Sequence, residues 1–227
     1  MMNRKSMLFA ALVLLASSAW GGDTAVFVDL GFSADGRTYM FGQYGVQPET
    51  LRPWADLYVV DVSSNSFAAG GQISYVHDGP VTAGHDGSGA LYRIIARNAA
   101  LADRYHIGYL LQGQILYVSM ENGAADETIE FRDFEKAASF KASLVSGGSG
   151  SGGSSFSIKL ERKNSDGSVR TYTAGNPGIR RPGILSYRIR RVVSAPQNGA
   201  LVFVIEVKKQ HPNGGAGLRY MVETLKL

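Results

Sequence analysis

Residues 25–41 read AVFVDLGFSADGRTYMF, and this stretch sets the fold class. Residues 25–30 are a run of β-branched and aromatic side chains, Ser33-Ala34-Asp35-Gly36 makes a tight turn with Gly36 suited to positive φ, and residues 38–41 return as a second strand. The same grammar recurs along the chain. Residues 57–62 (LYVVDV) are apolar on both faces, which predicts a strand central in its sheet. Residues 63–65 turn into Phe67, and 72–76 form a further possible strand. Residues 115–120 are apolar. Residues 128–134 alternate, with Ile129 and Phe131 set against Glu130 and Arg132. Strands at 139–145 and 156–161 flank a Gly/Ser stretch, 146–155, and Ser165-Asp166-Gly167 signals a hairpin into 169–173. Residues 185–193, 201–207 and 218–225 are the last three strands.

With 28 Gly, 11 Tyr and 10 Phe, the composition agrees. The predicted fold is mainly β: sandwich-like, or curved and partly closed antiparallel sheets, with an incomplete propeller-like arrangement as the alternative. One amphipathic helix is expected over 91–105, where Leu91, Ile94, Ile95, Leu101, Ala102 and Tyr105 form a stripe interrupted by Asn98. Asp86 or Ser88 is placed to cap its start and Gly108 to close its end. Residues 42–56 then read as a long loop. The Gly/Ser stretch suits either an interdomain linker or a flexible hairpin loop; similar strands on both sides favour the loop, inside a single mostly β domain spanning 22–227. Turn, strand, long loop and strand also echo near both termini, from Phe41 to Tyr58 and from Phe203 to Tyr220.

The N-terminus reads as an export signal, residues 1–21. Arg4 and Lys5 precede an unbroken apolar run, MLFAALVLLA at 7–16, that is too short to span a bilayer. Small residues follow, placing cleavage after Gly21, or as the alternative after Ala19. The expected location is periplasmic or secreted. The remaining roughly 200 residues suffice for a substantial core. The chain has no Cys, so burial and hydrogen bonds must hold an exported fold together without disulfides. No second long apolar run exists, so no membrane span is expected. Two of the 23 basic residues belong to the leader, which weakens the basic balance as a sign of nucleic acid.

Phe32-Ser33-Ala34-Asp35-Gly36-Arg37, with Tyr39 and Phe41 beyond it, resembles the turn motif of TolB-type propeller blades. The longer series, from Leu30 through Arg37, Gln43-Tyr44-Gly45-Val46-Gln47 and Leu57 to Val62, resembles the start of a bacterial family of predicted secreted proteins of unknown function. Residues 201–206 and 219–225 are similar to that family's C-terminal end. The resemblance implies export and a shared fold, and it brings no activity, cofactor or catalytic residue.

Three groups of residues are candidates for chemistry. Tyr44, Gln47 and Trp54, in the expected loop stiffened by Pro48 and Pro53, suit recognition of a sugar or a peptide; the plainer reading is that the two rings plug one end of a sheet. Arg180, Arg181, Arg188, Arg190 and Arg191 suit an anionic envelope component, or a solvated face paired with Glu127, Glu130, Asp133 and Glu135. His77-Asp78-Gly79 recurs as His85-Asp86-Gly87. Those four side chains have the chemistry of a zinc or manganese site, and Asp-Gly is equally a turn dipeptide. There is no G-x-S-x-G, H-E-x-x-H or P-loop. The expected function is therefore an exported, non-enzymatic binding or envelope-associated protein with no cofactor. Its partner would be a protein, a glycan or an anionic envelope component, and not nucleic acid. The alternative is a metal-dependent or carboxylate-based hydrolase.

Overall fold

The computed structural model describes residues 23–120, 127–148, 152–211 and 215–227; the expected leader lies outside them. The chain runs β1 (Val26–Ser33), β2 (Thr38–Val46), β3 (Pro53–Asp61), β4 (Ser66–Val76), α1 (Ser88–Arg97), α2 (Ala99–Arg104), β5 (Ile107–Gly108), β6 (Gln114–Val118), β7 (Thr128–Asp133), β8 (Ala138–Gly147), β9 (Ser155–Lys163), β10 (Val169–Ala174), β11 (Ile184–Ser194), β12 (Leu201–Gln210) and β13 (Ala216–Leu225). Strands form three antiparallel sheets: sheet I in the order β4-β3-β2-β1-β5, sheet II β10-β9-β8-β7 and sheet III β13-β12-β11-β6.

The mainly β, sandwich-like expectation holds, and the apolar clusters give the order of layers. Leu91, Ile94 and Leu101 of the helices pack on Met40, Leu57 and Val59 of sheet I. Phe32, Tyr39, Phe41 and Val60, on the other face of sheet I, meet Val193 and Val202 of sheet III. Tyr187, Ile189, Leu201, Phe203 and Ile205, on the far face of sheet III, meet Phe131, Phe140, Phe156 and Ile158 of sheet II. The sheets stack face to face, so the Phe32–Arg37 turn joins two strands of a sandwich and the propeller alternative is set aside. β7 buries Ile129 and Phe131 and exposes Glu130 and Arg132, as its alternation requires.

Three details depart from the sequence reading. Residues 42–56 are not a long loop: β2 and β3 pair through Tyr44↔Ala55, Gly45↔Trp54 and Val46↔Pro53, leaving a turn at 47–52. The glycines that read as loop formers are there for close packing. A Cβ on Gly42 would come within 2.6 Å of Leu91 Cδ1, and one on Gly45 within 2.8 Å of the Trp54 ring. The expected helix over 91–105 is two helices, because Asn98 turns its side chain back and donates Nδ2–H to Ile94 O at 2.7 Å. The second ends at Arg104, and Gly108 belongs to β5. Finally, Phe41 faces Tyr58 across β2 and β3, whereas Phe203 faces Glu223 and Tyr220 faces Glu206. The terminal echo is thus two hairpins in different register.

Asp29 sits in β1 at a bulge before Gly31, whose N–H donates to Oδ1 at 3.0 Å. Burial pushes its carboxyl up to about 6, against the pull of the Gly31 N–H and the Arg191 charge. A carboxyl whose pKa is raised by folding contributes most stability below its unfolded value and loses it as pH rises through about 6. Asp29→Asn removes that loss. Urea denaturation should show the variant more stable than the parent by about 2 kcal/mol at pH 8 and equal to it near pH 4.

Candidate functional site

The end of sheet I that carries the β2–β3 turn brings together residues far apart in sequence. Within the turn, Gln47 N–H donates to Arg52 O (3.0 Å) and Leu51 N–H to Gln47 O (2.8 Å). The chain leaving β4 is stitched to it: His77 N–H donates to Pro53 O and Val81 N–H to Leu51 O, both at 2.8 Å. Arg52 adds Nε–H to His77 O at 2.8 Å and lies 3.7 Å from the Asp78 carboxylate. Arg52 and Pro53 thereby hold the His77 backbone in place.

Tyr75 of β4 and His77, just past the strand's end, are two positions apart, and the Tyr75 hydroxyl and His77 Nδ1 are 3.0 Å apart. Arg93 and Arg97 are one turn apart on α1, and their guanidinium carbons lie 5.5 and 5.7 Å from the centre of the Tyr75 ring. Pro53, Tyr75, His77, Val81, Ala90 and Arg93 line a cavity of about 220 Å³. Asp86 borders it, and hydrogen bonds from the Ser88 hydroxyl and N–H hold the Asp86 carboxyl below its usual range. Asp86 thus fastens the turn before α1. Tyr44 stands nearby; burial, then the Asp86 charge, pushes its hydroxyl up. The cavity offers a small apolar floor, an aromatic plate, the Arg93 guanidinium with that of Arg97 against the same ring, and hydrogen-bonding groups. Such a site can hold an anionic group on a short apolar stem, since a guanidinium grips carboxylate or phosphate through two parallel bonds.

Residues 40–226 match the model of a family described as a predicted secreted protein, DUF2259. The chain belongs to the DUF2259 family. Neither a curated protein nor a solved structure matches it. The matched span opens at Met40, so it holds the Gln43–Gln47, 57–62, 201–206 and 219–225 segments, while the Phe32–Arg37 turn lies before it. No described helix is long and apolar enough to cross a membrane.

Within this DUF2259 fold the sequence-predicted residues divide. Tyr44 and Gln47 flank the cavity end of sheet I, but Trp54 faces away from it. Trp54 is buried and donates Nε1–H to Asp23 Oδ1 at 2.8 Å, with the Arg219 guanidinium 4.0 Å above its ring. Of the four His and Asp side chains, His77 and Asp86 border the cavity, Asp78 lies beside Arg52, and His85 is exposed in the connecting turn. Among the described residues no three His, Asp or Glu side chains gather where one metal ion could be held.

The five arginines do not form one surface. Arg181 lies over Phe156 on the sheet II side of sheet III, and Arg191 lies over Phe27 on the sheet I side. Arg188 stands opposite Glu206. The Arg190 guanidinium reaches Ser119 O at 2.9 Å and the Glu206 carboxylate at 4.0 Å, so the acidic partner comes from β12 rather than from 127–135. Arg180 is exposed beside the Gly/Ser stretch, whose described end is pinned by paired backbone bonds between Ser154 and Arg181.

Sequence reasoning missed Arg52, Tyr75, Arg93 and Arg97. Their signal was present but faint: two arginines at helical spacing and an aromatic and a histidine at strand spacing, which become one site only when α1 lies on sheet I.

Asp23 carries a further consequence. Its carboxylate takes the Trp54 N–H and, at 2.5 Å, the Arg219 guanidinium, and its exposure is only 4%. Removing it leaves a half-buried cation and a buried donor without that acceptor. Asp23→Ala should lower unfolding free energy by about 2–3 kcal/mol, read by urea denaturation, with Trp54 fluorescence reporting a wetter indole.

Proposed function

We propose that this protein is exported through the leader at 1–21 and acts in the periplasm or outside the cell by binding rather than by catalysis. Its recognition site is the cavity between β4 and α1, and its ligand is a carboxylate or phosphate carried on a small apolar body. The observation that supports this most is Arg93 lining a preformed, partly apolar cavity beside Tyr75, with Arg97 one turn on against the same ring. The leader's apolar run and the family's description support export.

Succinate and inorganic phosphate are the simplest probes of the site. Calorimetric titration should show saturable binding of at least one, weakened roughly tenfold by Arg93→Ala and further by adding Arg97→Ala, since a charge-assisted hydrogen bond is worth about 1.5–3 kcal/mol. Both arginines are exposed, so the variants should melt like the parent. Binding that ignores both substitutions would place recognition elsewhere. Export has its own check: N-terminal sequencing of the native protein should begin at Gly22.

A further inference from the structure

The opposite end of sheet I has a different character. There the β1–β2, β3–β4 and β11–β12 turns meet. Asn198 of the third turn donates Nδ2–H to Asp35 O of the first at 3.0 Å. Asn65 of the second is tied to β13, accepting Thr224 N–H at 2.7 Å and donating to the Glu223 carboxylate. The turns are therefore held by the sheets behind them. Asp35, Arg37 and Asp61 form a ridge between two open clefts of about 680 and 620 Å³, each within the ~300–1,000 Å³ of ordinary ligand sites.

What lines the clefts narrows the ligand. Phe67 is 49% exposed in the first, and its ring stacks on Tyr58 at 5.5 Å, which stacks on Phe41 at 4.8 Å. A row of rings across the sheet thus fixes the orientation of the one that reaches solvent. Tyr105, which also lines that cleft, is held by its hydroxyl, which donates to Ala69 O at 2.7 Å. The polar groups are of both signs and are pre-bonded: Ser33 Oγ donates to Asp35 Oδ1 at 2.7 Å, and the Asp61 carboxylate takes the Ser63 hydroxyl at 2.7 Å and the N–H groups of Ser63 and Ser64, both at 2.9 Å. These bonds hold the two carboxylates below their usual pKa range, so both are ionised at neutral pH.

Arg37, Arg104 and Lys226 line the clefts with Asp35 and Asp61, so a polyanion would meet charges of both signs, and a hydrophobic peptide would find a single half-exposed ring. A pyranose fits both halves of the chemistry. Its C–H face lies on an aromatic ring, and its neighbouring hydroxyls donate to carboxylates and accept from a guanidinium. We infer that this end of the DUF2259 fold binds a neutral oligosaccharide, with Phe67 as the stacking plate and Asp35, Arg37 and Asp61 as the hydroxyl-reading groups. The inference is independent of the anion site at the other end of the sheet.

Chitohexaose, cellohexaose and maltohexaose, titrated calorimetrically into the mature chain, test it. At least one should bind saturably with a dissociation constant below about 1 mM, equally well at about 50 and 500 mM NaCl because the ligand is uncharged. Phe67→Ala and Arg37→Ala should each weaken binding at least tenfold, while Arg93→Ala should leave it unchanged. The Arg37 side chain is 81% exposed, so that variant keeps the parent's melting curve and remains decisive even if the Phe67 variant loses stability. The inference is overturned if none of the three sugars binds at about 10 mM, or if binding survives both substitutions. It is equally overturned if heparin alone binds and is released by salt.

Discussion

The first half of β12, Leu201 to Ile205, has water on neither face. Leu201, Phe203, Ile205 and Val207 point at sheet II while Val202 points at sheet I, and each of these residues is at most 6% exposed. A strand buried on both sides has to be apolar at successive positions, and LVFVIEV is the chain's clearest case. Everything else is arranged about this constraint. Sheet III becomes the middle layer, sheets I and II are its two covers, and the helices then seal the outer face of sheet I. A chain of this size without disulfides obtains its core in this way, by stacking sheets rather than by cross-linking loops.

Apolar contact between layers is not directional, so the polar bonds between them fix how the layers sit. The link between sheet I and β13 is made by a small set of buried groups. Asp23 joins Trp54 to Arg219, and Gln43 takes the Tyr220 N–H at 2.8 Å while donating to Asp56 at 3.1 Å. Thr224 gives its hydroxyl to Val62 O at 2.8 Å. The Asp23–Arg219, Gln43–Tyr220 and Val62–Thr224 pairs span 162 to 196 residues of sequence, so together they close the N-terminal sheet onto the last hairpin. Burying the polar groups is tolerable because they satisfy one another.

This framework sets the two ends of sheet I apart. At one end the β2–β3 turn, the tail of β4 and α1 enclose a compact cavity bordered by Arg93 and Asp86. At the other, three turns leave open clefts with charges of both signs. The ends differ because only one is covered: α1 begins over β3 and β4 next to His77, whereas the β1–β2 and β3–β4 turns project beyond the helices. Asp29 lies within the stack, where burial outweighs the neighbouring Arg191 and pushes its carboxyl up to about 6.

The residues by themselves determined the strand content, because period-two alternation and continuous apolar runs are consequences of one-sided and two-sided burial. That is why 128–134 and 201–207 read correctly. The family likeness was legible for the same reason, being carried by strand segments such as 57–62. Long-range packing decided the rest. Gly42 and Gly45 look like loop residues until Leu91 and Trp54 are seen to need the space their missing Cβ atoms leave. Asn98 looks like a tolerated interruption until its side chain takes the Ile94 carbonyl. The site residues Tyr75, Arg93 and Arg97 carry no local signature, since a guanidinium beside a ring is made by laying a helix on a sheet. Alternation records only whether a side chain is buried, and tertiary structure alone records which partner lies beside it.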